Sequence, residues 1–191
     1  MNLKRECRAF FAFPIAIDIS RLITHLQSQM GNMINHYRWI NPEQTHITIV
    51  FLGTIPLQVA QRLAQTARIK LDKTPSFSLH FGALGAFPDP SKARVLWLGL
   101  RHIPSELLKI RNILISATES LGIELDKKPF KPHLTLARCN RQHSGCNLSD
   151  QLKSECFHDS HNIIIDECVL YNSELRSTGP VYSRMATFDL I

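Results

Sequence analysis

Histidine followed by an aliphatic residue, threonine and a second aliphatic residue occurs twice in this chain. The copies are HITI at His46–Ile49 and HLTL at His133–Leu136, and their histidines stand 87 positions apart. Imidazole is the side chain best suited to give or take a proton near neutrality, because its unperturbed pKa of about 6.5 lets both forms coexist. A threonine hydroxyl can donate to an anionic oxygen. Two copies of this pair suit an in-line displacement at phosphorus. Attacking and leaving oxygens then lie on opposite sides, so a base is needed on one wall and an acid on the other. Each hydroxyl would hold a non-bridging oxygen as negative charge grows there. Such a site calls for no metal and no other cofactor.

The elements that must carry these residues are strands, because β-branched and apolar residues alternate around both motifs. Successive strand side chains point to opposite faces. His46 and Thr48 therefore share one face and Ile47 and Ile49 the other, and His133 and Thr135 stand against Leu134 and Leu136 in the same way. The aliphatic residues anchor each strand in a core and leave an imidazole beside a hydroxyl on the open face. A single His-x-Thr-x is more often a half-buried histidine next to a β-former. Two of them, one in each half, become a cleft if the two open faces meet.

Around the motifs the chain reads as α+β and mostly antiparallel, with no linker dividing it. Arg8–Ile15 (RAFFAFPI) predicts a buried strand, and Leu22, Ile23, Leu26 and Met30 predict a helix that stops at Gly31-Asn32. Thr45–Gly53 predicts a strand, and Pro56 opens a helix with Val59, Leu63, Ala67 and Leu71 on one stripe. FSLHFGALGAF and ARVLWLGL predict paired strands flanking Pro88-Asp89-Pro90. Pro104 starts a third helix with Leu107, Arg111, Leu114 and Leu121 in register, ended by Gly122, and a strand follows at His133–Arg138. The polar stretch Asn140–Ser160 reads as loop with at most a short helix. NIIIDECVLY and VYSRMATFDL then form two strands joined across Ser177-Thr178-Gly179-Pro180.

Composition narrows the partners. With 191 residues, 44% of them hydrophobic, the chain can bury a substantial core as one large domain or two intimate lobes. Lys4, Arg5 and Arg8 precede the apolar run AFFAFPIAI, but Pro14 interrupts it and Asp18 ends it, so a strand fits better than a secretion signal. No other stretch approaches the length needed to cross a bilayer, and no membrane partner is expected. Five irregularly spaced cysteines argue against a disulfide framework and for a reducing, cytoplasmic setting. The net charge of +6 and a pI near 9.2 favour anions, nucleic acid included. Lys127, Lys128, Lys131, Arg138 and Arg141 crowd the second motif, where they form either a phosphate-holding surface or an ordinary solvated basic face.

A competing chemistry uses Cys139, His143, Cys146, Cys156, His158 and His161, which could ligate a metal but match none of the regular zinc spacings. A nucleotide-binding module without turnover is a third reading, opposed by the integrity of both His-Thr pairs.

Taken together, CRAFFAFPI, HITIVFLG, ARVLWLGL, FKPHLTLAR and LYNSELRSTGPVYSRM resemble the bacterial and archaeal RNA 2′,3′-cyclic phosphodiesterases, once called 2′-5′ RNA ligases. That family belongs to the 2H phosphoesterase superfamily. The resemblance runs from about Arg8 to about Phe188. It implies a bilobed, pseudo-twofold α+β domain spanning 1–191. Two mainly antiparallel sheets backed by helices would hold the cleft between them, with both chain ends in one lobe. It makes His46 and His133 the catalytic pair and Thr48 and Thr135 the phosphate holders. His46 would be the acid toward the departing 3′-oxygen, and His133 would activate water, leaving a 2′-phosphate. Symmetry makes the reverse division chemically reasonable, and ligation would exchange the roles.

Arg138 matches a phosphate-contacting position of the family, although strict alternation places it with Leu134 and Leu136; a strand end, a bulge or the reach of the guanidinium resolves this. Lys131 reads as general electrostatics. Phe11, Trp39, Phe130 and Tyr182 are candidate base-stacking residues. The implied substrates are RNAs with 2′,3′-cyclic phosphate ends, tRNA halves among them, or cyclic nucleotides. No protein partner is implied, and the expected state is a monomer.

Overall fold

In a computed structural model of the chain, residues 6–16, 19–41, 44–126, 128–153, 163–176 and 179–191 are described. Lys4, Arg5, Asp18, Lys127, Cys156, His158, His161, Ser177 and Thr178 lie outside the described residues.

Ten strands are described: β1 (Glu6–Pro14), β2 (Tyr37–Trp39), β3 (His46–Pro56), β4 (Phe77–Leu79), β5 (Phe81–Phe87), β6 (Val95–Leu100), β7 (His133–Cys139), β8 (Ile163–Ile165), β9 (Glu167–Arg176) and β10 (Gly179–Asp189). The helices are α1 (Ser20–Met30), α2 (Leu57–Leu71), α3 (Ser105–Glu119) and the short α4 (Ser149–Lys153). The fold is α+β, and every strand pairing is antiparallel.

The eight-stranded main sheet runs β10-β9-β1-β3-β7-β6-β5, with β2 added to β7. The mainly antiparallel, helix-backed sheet structure is as expected, with a large and a small sheet. Within the large sheet the two halves are joined through a single pairing, Ile47 of β3 opposite Leu134 of β7, so the two motif strands are direct neighbours. Beyond that point β2 takes over the same edge of β7, pairing Tyr37–Trp39 with Ala137–Cys139. Composition hid β2, because a three-residue strand following a 3₁₀ turn over Gly31–His36 leaves too few residues to show alternation.

The predicted helices form for the expected reason, an apolar stripe that recurs every turn. α1 buries Leu22, Ile23, Leu26 and Met30. It stops at Gly31, whose φ of 52° lies in the region glycine enters most readily. In α2 the buried stripe is Ala60, Leu63, Ala67 and Leu71, with Ala60 in the place expected of Val59. In α3 it is Leu107, Ile110, Leu114 and Ala117, while Arg111 leans over the Phe130 ring at 4.4 Å.

Two predicted long strands are each broken in two. FSLHFGALGAF divides at His80 and NIIIDECVLY at Asp166, and the first pieces, β4 and β8, pair with each other as a separate two-stranded sheet. Among the described residues no helix is long and apolar enough to cross a membrane.

The core lies on the helix-backed side of the main sheet. Phe11, Phe13, Ile47, Ile49, Leu134 and Leu136 are all exposed by 2% or less. These aliphatic anchors decide what the opposite face presents.

Candidate active site

Ile47 and Leu134 are fully buried and face each other across the β3–β7 junction. Their chain neighbours therefore project to the other side of the sheet. Extending the antiparallel register by one residue each way sets His46 across from Thr135 and His133 across from Thr48. All four side chains are half-buried. Two sequence-distant motifs thus meet as a square of two imidazoles and two hydroxyls.

Both rings are oriented in the same way. His46 Nδ1 donates to the Gln44 carbonyl at 2.8 Å, and His133 Nδ1 donates to the Lys131 carbonyl at 2.6 Å. A carbonyl oxygen only accepts, so Nδ1 carries the hydrogen in each ring and Nε2 is left for proton transfer.

Aromatic walls hold each imidazole. His46 sits edge-on to Tyr182 at 5.0 Å between ring centroids and beside Phe10 at 5.2 Å, with Tyr171 at 6.2 Å. His133 is edge-on to Phe87 at 5.0 Å and has Trp97 at 6.2 Å.

Trp97 lies flat over two glycines. A Cβ at Gly85 would stand 2.2 Å from its ring, and one at Gly99 would stand 2.8 Å away. The ring cannot leave easily, since Lys131 Nζ covers it at 4.2 Å. Gly85→Ala is therefore expected to displace Trp97 and to destabilise the protein by about 1–3 kcal/mol through overpacking. Urea unfolding followed by tryptophan fluorescence checks this, and an unchanged midpoint and native spectrum would contradict it.

Burial lowers the pKa of both histidines below the ordinary 6.5. For His46 the positive charges of Arg138 and His133 add to the lowering, and for His133 those of Arg138 and Lys131 do so; the backbone hydrogen bonds oppose it. Arg138 also lines the cleft together with His46 and Thr135, on the open face of the sheet.

Its position there comes from a β-bulge. The β6–β7 register shifts between Leu96 opposite Ala137 and Trp97 opposite Thr135, so Leu136 and Ala137 are both buried in succession. The bulge restores Arg138 to the face of His133 and Thr135.

A cleft of about 180 Å³ opens beside this square, lined by His46, Thr135, Arg138, Trp39, Tyr182 and Arg38, with Gln44, Gly179 and Pro180 also contributing. His133 and Thr48 stand outside that lining, against Phe87 and Trp97 in one case and opposite Ala12 in the other. Burial raises the Tyr182 pKa, while the positive charges of Arg138, Arg38 and Arg8 oppose the rise. Trp39 Nε1 is a buried donor with no acceptor among the described residues.

The four aromatic candidates separate. Trp39 and Tyr182 line the cleft. Phe11 does not, and that expectation is corrected: it is 0% exposed and packs on Phe188 at 6.0 Å, on the core side of β1. Its neighbour Phe10 takes the place beside His46, because β1 alternates without interruption: Cys7, Ala9, Phe11 and Phe13 point into the core and Phe10 to the opposite face. Phe130 is half-buried under Arg111 of α3, outside the lining of the cleft.

Composition also missed Phe10, Tyr171, Phe87 and Trp97 as the walls of the histidines. The signal for Trp97 was its place in VLWLG, where alternation puts it on the open face of its strand.

Of the alternative metal ligands, Cys146 Sγ lies 3.3 Å from His36 Nδ1, and the His36 and His143 rings stack at 3.8 Å. Among the described residues no group of three or more His, Cys, Asp or Glu could hold a metal ion.

A helix-backed antiparallel sheet with two His-x-Thr pairs side by side on its open face defines the two-histidine class of phosphoesterases. The chain belongs to the 2′-5′ RNA ligase superfamily, whose family model matches residues 13–166. An RNA 2′,3′-cyclic phosphodiesterase of Bacillus subtilis (strain 168) is 33% identical over 130 residues, 68% of this chain and 69% of the relative. One from Geobacillus stearothermophilus is 28% identical over 182 residues, 95% of this chain, and this chain spans 57% of that protein's length. The crystal structure of E. coli LigT in its apo form superposes with a TM-score of 0.76 at 24% identity, covering 97% of this chain and 98% of that one.

Proposed function

We propose that this protein opens 2′,3′-cyclic phosphates at RNA ends, leaving a 2′-phosphomonoester and a free 3′-hydroxyl. The observation that carries the reading is the mirrored pair of imidazoles, each with Nδ1 tied to a backbone carbonyl two residues earlier and Nε2 left for chemistry.

Water attacks phosphorus as its proton passes to Nε2 of neutral His133. The bond from phosphorus to O3′ breaks, and O3′ takes the proton from Nε2 of His46. One water is added, and the two histidines finish with exchanged protonation states that solvent resets. Thr48 and Thr135 donate to the non-bridging oxygens, and Arg138 faces the charge accumulating on them. With the 5′-hydroxyl of a second RNA end in place of water, the same step in the same direction joins the ends: the new bond forms from O5′ to phosphorus, the bond from phosphorus to O3′ breaks, and a 2′-5′ linkage results.

The substrates are RNAs with cyclic ends, tRNA halves included, or small cyclic nucleotides, met in the cytoplasm by a monomer. We assign the chain one domain of two pseudo-symmetric lobes. The strand that opens the described chain, β1, and the one that closes it, β10, both lie on the His46 side of the β3–β7 junction, which supports placing the two termini in one lobe.

The test is incubation with a nucleoside 2′,3′-cyclic monophosphate and a cyclic-ended oligonucleotide in excess EDTA, followed by locating the product phosphate. A 2′-phosphate formed at an undiminished rate is expected; a 3′-phosphate, or loss of turnover with chelator, overturns the proposal.

The pH dependence carries a definite sign. Catalysis needs one ring protonated and one neutral, and both pKa values lie below 6.5 in the free protein. The bell-shaped profile of kcat/KM should therefore peak below pH 6.5. The kcat profile should lie at higher pH, because a bound anionic phosphate favours imidazolium. A kcat/KM maximum above pH 7.5 would contradict this.

A further inference from the structure

The cleft continues into a second groove of about 430 Å³, and the two share Arg38, Arg138, Gly179 and Pro180 in their linings. The second groove adds Arg141 and Arg176. Across both linings there are four arginines and no aspartate or glutamate.

The arginines are set close together. Arg38 of β2 stands directly opposite Arg138 of β7 in the strand register, an arrangement of like charges that destabilises a sheet. Both are exposed, and among the described residues no carboxylate forms an ion pair with Arg38, Arg138 or Arg141. Arg176 reaches Glu174 at 3.2 Å, but both side chains are more than half exposed, so that pair is weak and open to exchange. Gly179 keeps the passage open: its φ of 129° disfavours a side chain, and an added Cβ would meet the Arg38 guanidinium at 3.2 Å.

We propose that this arginine groove carries the RNA strand on the 5′ side of the reacting end, so that the preferred substrate is an oligonucleotide rather than a cyclic mononucleotide. The inference rests on the proposed reaction for one step. A 2′,3′-cyclic phosphate exists only at the 3′ end of a chain, so every other phosphate of the substrate lies 5′ to it and must leave the cleft along one path. An anion row would relieve the repulsion between Arg38 and Arg138 and would extend past Arg141 and Arg176. Arginine binds phosphate through its planar fork of donors.

The experiment compares a nucleoside 2′,3′-cyclic monophosphate with a five-nucleotide RNA bearing the same end, at several salt concentrations. The oligonucleotide is expected to have the higher kcat/KM and a steeper fall with salt, by about 0.7 in log–log slope for each added phosphate contact. The exposed double variant Arg141→Gln/Arg176→Gln is expected to lower the ratio of oligonucleotide to mononucleotide kcat/KM about five- to ten-fold and to flatten the salt slope, while Arg141→Lys/Arg176→Lys restores most of it.

Equal salt slopes for the two substrates, or an unchanged ratio in the double Gln variant, overturn the groove. If the wild-type protein opens neither substrate, the reaction assignment has failed. The groove is then judged by binding, as the affinity for a five-nucleotide RNA ending in a 2′-phosphate against that for the nucleoside 2′-monophosphate, with the same two variants. Equal affinities overturn it.

Discussion

His46→Ala and His133→Ala each lower kcat by about 10²–10⁴-fold, the range that one positioned acid or base supplies. Each imidazole presents a single free nitrogen, and neither can do the other's work from its own wall. The fold should survive, because the side chains that anchor these strands are Ile47 and Leu134, and both histidines are only half-buried. Circular dichroism and a melting curve on the same samples separate loss of chemistry from loss of structure.

The double variant should be little worse than either single one, since the two groups act as a unit. The pair is distinguished by the leaving group. A substrate with sulfur in place of the 3′-oxygen departs without protonation, and it should restore His46→Ala far more than His133→Ala. Either histidine variant working at near-normal rate on the natural substrate would end the acid–base account.

Arg138→Gln carries the second largest effect. Removing a charged donor from developing phosphate charge costs about 10²–10³-fold in kcat. The variant should also move the pH profile, because the Arg138 charge helps to hold both histidine pKa values down. With that charge gone both values rise, and the kcat/KM maximum shifts to higher pH. Arg138→Lys keeps the charge but loses the two-pronged geometry. It should leave the pH maximum in place while recovering only part of the rate. A Gln variant that is slow but has the wild-type pH maximum would show that Arg138 acts on structure alone.

These two predictions draw on different levels of the molecule. The identity of the reactive groups was legible in the chain, because His-x-Thr-x on an alternating strand forces imidazole and hydroxyl to one face and aliphatics to the other. That local rule holds wherever the strand lies, and it placed Ile47, Ile49, Leu134 and Leu136 in the core where they are found. Helices α1, α2 and α3 were legible for the same kind of reason, as apolar stripes between Pro and Gly signals.

Period-two reasoning failed at bulges. It set Arg138 on the wrong face, because one extra residue in a strand reverses the direction of every side chain beyond it; Phe10 and Phe11 obey the period, and what the chain did not reveal is which face of β1 is the core. Whether a bulge forms depends on the partner strand, which no local window contains.

By itself, then, the sequence determined the reactive residue types, the face each would occupy within its strand, and the helices behind them, since these follow from short-range geometry. Only the tertiary structure decided that β3 and β7 are neighbours, that Phe10, Tyr171, Tyr182, Phe87 and Trp97 wall the histidines, and that Arg38 faces Arg138. Such contacts join residues scores of positions apart. Their selection is a property of the whole packed sheet, in which one pairing, Ile47 with Leu134, brings the two motifs together.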